Sequence, residues 1–386
     1  MKRAHSMFIV ALLLFVAGCS PMNSAKAEHQ AGLIAYLHGD YRQALADFRP
    51  SAERGDVRAE YDLGLMYFNG HGVPKNYVKA LKWYRLASEH GDLEAENNLG
   101  VMYQQGDGVP KNYATALKWF RMAAEHGNVQ SERNVGVSYQ QGDGVPKNYT
   151  TALKWYRLAA EHGNVRAEVN VGAMYFNGHG VPKNYVKALK WYRLAAEHGN
   201  VRAERNVGVM YMYGDGVPKN YATALKWYRL AAEHGDSEMA IYLADVYAGG
   251  HGGPSARSLK WYRLGAEQGN VSAEDMLGAM YQYGEGVPEN YVKALKWYRL
   301  AAEHGDLEAE NNLGRMYREG KGVPQNYVEA YKWFLIEKSM TPATNGFYGS
   351  ISNNVKSLAL MMTPAQLAQA QQEASAWYVK HVGQAH

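Results

Sequence analysis

Ala114-Thr-Ala-Leu-Lys-Trp-Phe-Arg-Met-Ala-Ala-Glu-His-Gly127 recurs down the chain with few changes. Its tryptophan marks the interval: Trp83, Trp119, Trp155, Trp191, Trp227, Trp261, Trp297 and Trp333 follow one another at spacings of 36, 36, 36, 36, 34, 36 and 36 residues. A fixed period in this range marks a stacked-repeat architecture, in which each unit buries its apolar face only against its neighbours. Such arrays build extended surfaces, so the chain is expected to bind and not to catalyse.

Residues 93–128 define one unit. Asp92 offers a side-chain acceptor just ahead of an apolar-periodic stretch and predicts an N-cap. Ala95, Leu99, Met102 and Tyr103 then form one stripe of a 3.6-residue period. Gly100 interrupts this helix at a cost of about 1 kcal/mol relative to Ala. Glycine returns in that slot at Gly64, Gly136, Gly172, Gly208, Gly278 and Gly314, which predicts a close approach of two helix backbones. Gly106-Asp-Gly-Val-Pro-Lys-Asn112 reads as a loop, because its glycines permit positive φ and Pro110 stops the helix. The second helix places Ala116, Leu117, Trp119, Phe120 and Ala123 on one face, with Lys118 and Arg121 pointing away. His126 sits in its last turn and Gly127 is its C′ residue. Asn128 caps the next unit at once, so the joint between repeats is about two residues long.

This text, Ala-x-x-x-Leu-Gly-x-Met-Tyr-x-x-Gly-x-Gly-Val-Pro followed by Ala-Leu-Lys-Trp-Tyr-Arg-x-Ala-Ala-Glu-His-Gly, resembles the Sel1-like repeat (SLR), a 36-residue relative of the tetratricopeptide repeat. The resemblance covers residues 57–338 as eight copies. A degenerate half-copy occupies 28–56, where Tyr41-Arg-Gln-Ala-Leu-Ala-Asp-Phe48 aligns with Tyr77-Val-Lys-Ala-Leu-Lys-Trp-Tyr84. The copy at 237–270 departs: two loop residues are missing after Pro254, Met239 replaces Ala and Ala244 replaces Gly. Residues 339–386 read as a C-terminal cap, with Thr363 opening a helix that carries Leu367, Ala370, Ala374 and Trp377 on one face. The expected fold is therefore all-α: a right-handed α/α solenoid of about eight helix-pair repeats, with a degenerate N-terminal half-repeat and a C-terminal capping helix.

The start of the chain carries a different signal. Lys2 and Arg3 precede an apolar run, Phe8 to Val16, which is too short to span a bilayer. It ends in Val16-Ala17-Gly18-Cys19-Ser20, which resembles a bacterial lipobox. Residues 1–18 are thus expected to be a signal peptide, Cys19 a lipidation site and 19–27 a tether. Ser20, where Asp would signal retention at the inner membrane, implies the outer membrane, in either leaflet. Cys19 is the only cysteine, so no disulfide staples the fold. Without Lys2 and Arg3 the chain holds 39 basic against 37 acidic residues, interleaved, which argues against a nucleic-acid partner.

No motif for catalysis, phosphate binding or metal binding stands out. Six histidines recur in Glu-His-Gly (His90, His126, His162, His198, His234 and His304), but stacked repeats lie about 10 Å apart and zinc needs ligands at about 2 Å. No metal or cofactor is expected, and the chain is read as non-enzymatic. The 30 tyrosines and nine tryptophans are read mostly as core.

Function is sought where the copies differ. On the first helices, opposite the core stripe, lie Phe68, Gln104, Arg133, Phe176, Arg205, Met212 and Tyr213, apolar or aromatic beyond what a solvated face needs. Beside them runs an asparagine ladder, Asn98, Asn134, Asn170, Asn206 and Asn312, broken by Asp62, Tyr242 and Met276. The resemblance to tetratricopeptide arrays implies a concave groove here, with amides suited to clamp a bound main chain or to tie adjacent helices together. The expected function is a protein–protein interaction scaffold in the bacterial envelope, joined to the membrane only through its lipid. The alternative is a secreted or surface-exposed protein that binds host proteins. A third reading, β-lactam hydrolysis as in the disulfide-rich branch of the family, requires the paired cysteines this chain lacks.

Overall fold

The computed structural model describes residues 21–249 and 255–381, with side chains from residue 24 onward. The expected signal peptide, Cys19 and the loop shortened after Pro254 lie outside the described residues. Two compact units divide the chain, Met1–His198 and Gly199–His386. In the first, the helices are α1 (Pro21–Leu37), α2 (Tyr41–Glu53), α3 (Val57–Asn69), α4 (Tyr77–Glu89), α5 (Leu93–Gln105), α6 (Tyr113–Glu125), α7 (Val129–Gln141), α8 (Tyr149–Glu161), α9 (Val165–Asn177) and α10 (Tyr185–Glu197). In the second they are α11 (Val201–Tyr213), α12 (Tyr221–Glu233), α13 (Ser237–Ala248), α14 (Ala256–Glu267), α15 (Val271–Tyr283), α16 (Tyr291–Glu303), α17 (Leu307–Glu319), α18 (Tyr327–Met340), α19 (Tyr348–Ala359) and α20 (Pro364–His381). Among the described residues all regular structure is helical, and within each unit the helices pack in successive pairs, as an α/α solenoid requires.

Local chemistry sets each pair. Asp92 accepts from the Ala95 amide at 2.7 Å and Asn112 from the Thr115 amide at 2.9 Å, so both helices of the unit start on a side-chain cap. Gly106 ends α5 at φ +88°, where its amide donates to the Met102 carbonyl at 2.8 Å. Gly108 is confined further: a Cβ there would lie 2.8 Å from the Tyr77 carbonyl carbon, so this loop stacks on the start of the preceding pair's second helix.

The repeated helical glycine has a different partner from the expected backbone. A Cβ on Gly100 would lie 2.5 Å from the Phe120 ring, and one on Gly64 equally close to Tyr84. An aromatic ring packed against the glycine fills the space. It belongs to the residue after each periodic tryptophan, and Tyr84, Phe120, Tyr156, Tyr298 and Phe334 are the fully buried rings of their pairs. Most tryptophans are correspondingly half-buried. Trp83 and Trp119 lean on the cluster around Tyr84, Leu99 and Met102, while Trp261 and Trp333 are buried outright.

The N-terminal region also differs from expectation. Residues 21–27, read as a tether, form the first turns of α1. Ala25 is buried and its carbonyl accepts from the Ser51 hydroxyl at 2.7 Å. Gly32 underlies Phe48 as Gly64 underlies Tyr84, so α1 and α2 make a complete pair where a half-copy was expected. At the other end, the capping helix is α20. It packs on α18 together with the additional helix α19, and Trp333 meets Trp377 edge-on at 6.0 Å.

Candidate protein-binding face

Two recurring contacts fix which side chains are free to bind. In the first, Glu60 on α3 is fully buried and its Oε2 lies 2.8 Å from Nδ1 of His90, the C-cap residue of α4. The pairs His162–Glu132 (2.8 Å), His198–Glu168 (3.0 Å), His234–Glu204 (2.7 Å) and His304–Glu274 (2.8 Å) repeat this at a separation of 30 residues. Five of the ladder's six histidines are thus taken up by buried carboxylates. In the second, Arg85 Nη2 donates to the Tyr103 hydroxyl at 2.6 Å, and Arg121 to Tyr139 at 2.6 Å, each reaching 18 residues on into the next pair. Arg157–Tyr175, Arg229–Tyr247 and Arg299–Tyr317 do the same. Arg121 therefore does not simply point away, as the helical spacing implied; it links two repeats.

On the first-helix face of the N-terminal unit, the proposed aromatic anchors are partly committed. Phe68 is half-buried against Tyr77, ring centroids 5.1 Å apart, and Phe176 against Tyr185 at 5.0 Å. The asparagine ladder splits. Asn98 faces the hydroxyls of Tyr61 and Tyr84, and Asn134 Nδ2 donates to Asn97 Oδ1 at 2.9 Å, a bond that ties adjacent helices together. Asn170 is half-buried and makes no side-chain hydrogen bond among the described residues, as does Gln104. Arg133 is half-buried, and its Nη1 reaches Asn134 Oδ1 only at 3.4 Å. Burial holds its guanidinium below the ordinary arginine range.

In the C-terminal unit the same face is tyrosine-rich. Tyr213 is 71 % exposed and Tyr283 59 %. Tyr228 and Tyr242 meet edge-on at 5.2 Å, with Tyr213 and Tyr221 close enough that their hydroxyls, after burial, help push Tyr228 up to about 12. Met212 is half-buried against the Leu243–Tyr262 cluster, and Asn206 carries no side-chain hydrogen bond among the described residues. Arg205 is engaged by Asp236 at 3.4 Å and by Glu238. Sequence reasoning found Tyr213 but passed over Tyr221 and Tyr242; the latter appeared only as a break in the ladder, although a tyrosine in an amide slot is itself the signal.

Asp275 lies on this face too, pushed up to about 7 by burial and by Asp306 and Glu308, while the Asn312 amide beside it opposes the shift. Among the described residues no group of three or more His, Cys, Asp or Glu is arranged to hold a metal, and no helix is long and apolar enough to cross a membrane.

The helix pairs, their caps and their inter-repeat links define an α/α repeat protein of the tetratricopeptide-like class. The Sel1 repeat model matches residues 57–92, 93–128, 129–164, 165–200, 201–236, 237–270, 271–306 and 307–336, and the chain belongs to the Sel1 repeat family. A solved structure of a protective antigen present in uropathogenic Escherichia coli strains, displaying an SLR fold, is 31 % identical over 93 % of this chain and 93 % of that one, with a TM-score of 0.50. A Sel1 repeat protein from Oxalobacter formigenes is 27 % identical over 91 % of each chain, also at 0.50. Among curated proteins none matches significantly. Repeat proteins of this family are typically protein-interaction scaffolds and generally non-catalytic.

Proposed function

We propose that this chain is a non-enzymatic scaffold that binds protein segments on the face of its first helices and is held in the bacterial envelope by a lipid on Cys19. The observation that carries the binding half is the tyrosine face of the C-terminal unit. Tyr213, at 71 % exposure, stands with Tyr221, Tyr242 and Met212. Exposed tyrosines combine a large apolar ring with a polar handle at little entropic cost, which is what hot spots use. Replacing Tyr213 by Ala should reduce capture of partners from envelope extract without moving the melting temperature. Unchanged capture in a Tyr213→Ala, Tyr283→Ala double variant would rule this face out.

The anchoring half rests on the resemblance of residues 16–20 to a lipobox, and outer-membrane placement on Ser20. Cys19→Ser should leave the precursor unacylated; absence of palmitate-probe labelling in the wild type would exclude the anchor. A second reading, display on the cell surface toward host proteins, is supported by the 31 % identity to a protective antigen. Antibody staining of intact cells separates it from a periplasmic scaffold.

A further inference from the structure

The slot that Arg133 occupies looks toward two positions of the following repeat, the N-cap 31 residues on and the helical residue 33 on. Arg205 contacts Asp236 and Glu238 there, Tyr61 lies in the field of Asp92 and Glu94, and Asp275 in that of Asp306 and Glu308. For Arg133 those two positions hold Asn164 and Arg166. The Asn164 amide is already used at both ends: its Oδ1 accepts from the Ala167 amide at 3.0 Å and its Nδ2 donates to Gln130 at 3.4 Å. Burial holds the Arg133 guanidinium below the ordinary arginine range; the Tyr156 hydroxyl opposes this and the like charge of Arg166 adds to it.

Arg133 therefore carries a partly desolvated charge with no ion pair among the described residues. Its Nε is buried and has no hydrogen-bond acceptor. The neighbouring polar groups carry no full negative charge to neutralise it: the Asn134 Oδ1 accepts from its Nη1 only at 3.4 Å, and the Tyr156 hydroxyl donates to Gln140 at 2.5 Å. A cation held this way costs free energy unless an anion arrives from outside. The equivalent slot of Arg205 indicates which anion the geometry accepts, because two side-chain carboxylates of the chain itself fill it there.

We propose that Arg133, assisted by Arg166, is a recognition site for an acidic side chain, Asp or Glu, of a bound protein segment. The inference rests on the protein-binding reading above and gives that reading a partner chemistry. Half-buried Arg133 presents a planar fork suited to bidentate pairing with a carboxylate. Arg166, exposed on the next repeat, adds attraction that salt screens.

The test is NMR of the full chain labelled with ¹⁵N-arginine, following Nε–Hε resonances. The Arg133 signal is assigned by its loss in Arg133→Gln. Three probes are titrated: Ac-Gly-Gly-Glu-Gly-Gly-NH2, the same peptide with Gln for Glu, and Ac-Gly-Gly-Gly with a free C-terminus. The Glu peptide should shift Arg133 along a saturating curve and leave Arg205 in place, and the Gln peptide should do nothing. Arg166→Gln should weaken the response about twofold to fivefold. Asp236→Asn combined with Glu238→Gln should make Arg205 responsive as well. A response to the free C-terminus alone would overturn the assignment to a side chain. An unmoved Arg133, an equal response to the Gln peptide, or Arg205 shifting in parallel in the wild type would overturn the site itself. Capture lost in Tyr213→Ala with Arg133 silent refutes this site and leaves the scaffold reading standing; a responsive Arg133 with capture unaffected by the tyrosine variants does the reverse.

Discussion

His90 Nδ1 lies 2.8 Å from Oε2 of Glu60, a carboxylate with no exposed surface. The glutamate comes from the first helix of a pair and the histidine closes the second, so one contact ties the two ends of a repeat. Among the described residues, the hydrogen-bond partner of the buried carboxylate is a half-exposed imidazole. Where the glutamate changes, the histidine changes with it: the copy at 237–270 has Ala240 and Gln268, and Gln268 Nε2 turns to the Ala232 carbonyl at 2.7 Å.

Breaking one such pair from the histidine side should therefore strand a carboxylate. His162→Ala leaves Glu132 buried without its partner and should cost about 1–3 kcal/mol in urea unfolding. The chain supplies its own remedy. Glu132→Ala with His162→Gln, copying Ala240 and Gln268, should recover more than half of the loss. Simple addition of the two single-variant costs would show that the pair is not coupled.

Glu310 tests the same logic where no histidine stands. Its counterpart 30 residues on is Met340, and both of its oxygens are buried without a hydrogen bond. Burial and the nearby Glu337 and Asp306 push it up to about 8, and burial pushes Glu337 up to about 7. The folded protein thus keeps protons that the unfolded chain releases from about pH 4.5 upward. The contribution of these groups to stability is fully present below that pH and is lost as pH rises through 7 to 8. Glu310→Gln should match the wild type within about 0.5 kcal/mol at pH 5 and be more stable by about 1 kcal/mol or more at pH 9. Parallel melting curves for the two proteins across that range would refute this.

The glycine seat gives a third prediction. Gly136→Ala places a methyl 2.6 Å from the Tyr156 ring and should cost about 1–3 kcal/mol by overpacking. Phe120→Ala, which empties the seat on Gly100, should cost about 3–5 kcal/mol. Trp119→Ala, at a half-buried position, should cost less than Phe120→Ala, and the reverse order would restore the tryptophans as the centre of the core.

A fourth concerns coupling between repeats. Arg121→Gln removes the donor to Tyr139 and the cation 5.6 Å above its ring. In a nearest-neighbour array this weakens an interface and leaves the repeats themselves intact. The urea transition should broaden more than its midpoint falls, and a pure midpoint shift would argue against an interface role.

The period, the helix pairs, the caps at Asp92 and Asn112 and the closing helix α20 were all legible in the sequence, because each depends on local chemistry that repeats. What was not legible depends on which of two adjacent aromatics faces inward. Trp119 and Phe120 both fit the apolar stripe, and only the ring packed on Gly100 separates them. The Glu–His pairs were hidden by their separation of 30 residues, although the joint change at Ala240 and Gln268 marks them. On the binding face the asparagine ladder left two uses open, clamping a bound main chain or tying helices together, and only the approach of the neighbouring helix shows that Asn134 takes the second. Arg133 and Arg205 looked alike until the residues 31 and 33 further on were considered.

The arginine-to-tyrosine links give the array a direction. Within each unit a repeat hands a donor forward to the next, starting with Arg49, which reaches the Tyr67 hydroxyl at 3.3 Å from the N-terminal pair. The series stops where Leu335 takes the arginine slot and Asn353 stands where the next tyrosine would be. Inside either unit, a duplication or deletion of one whole period leaves every arginine with a tyrosine ahead of it. Genes for such chains can therefore lengthen or shorten by recombination between near-identical copies without stranding a hydroxyl.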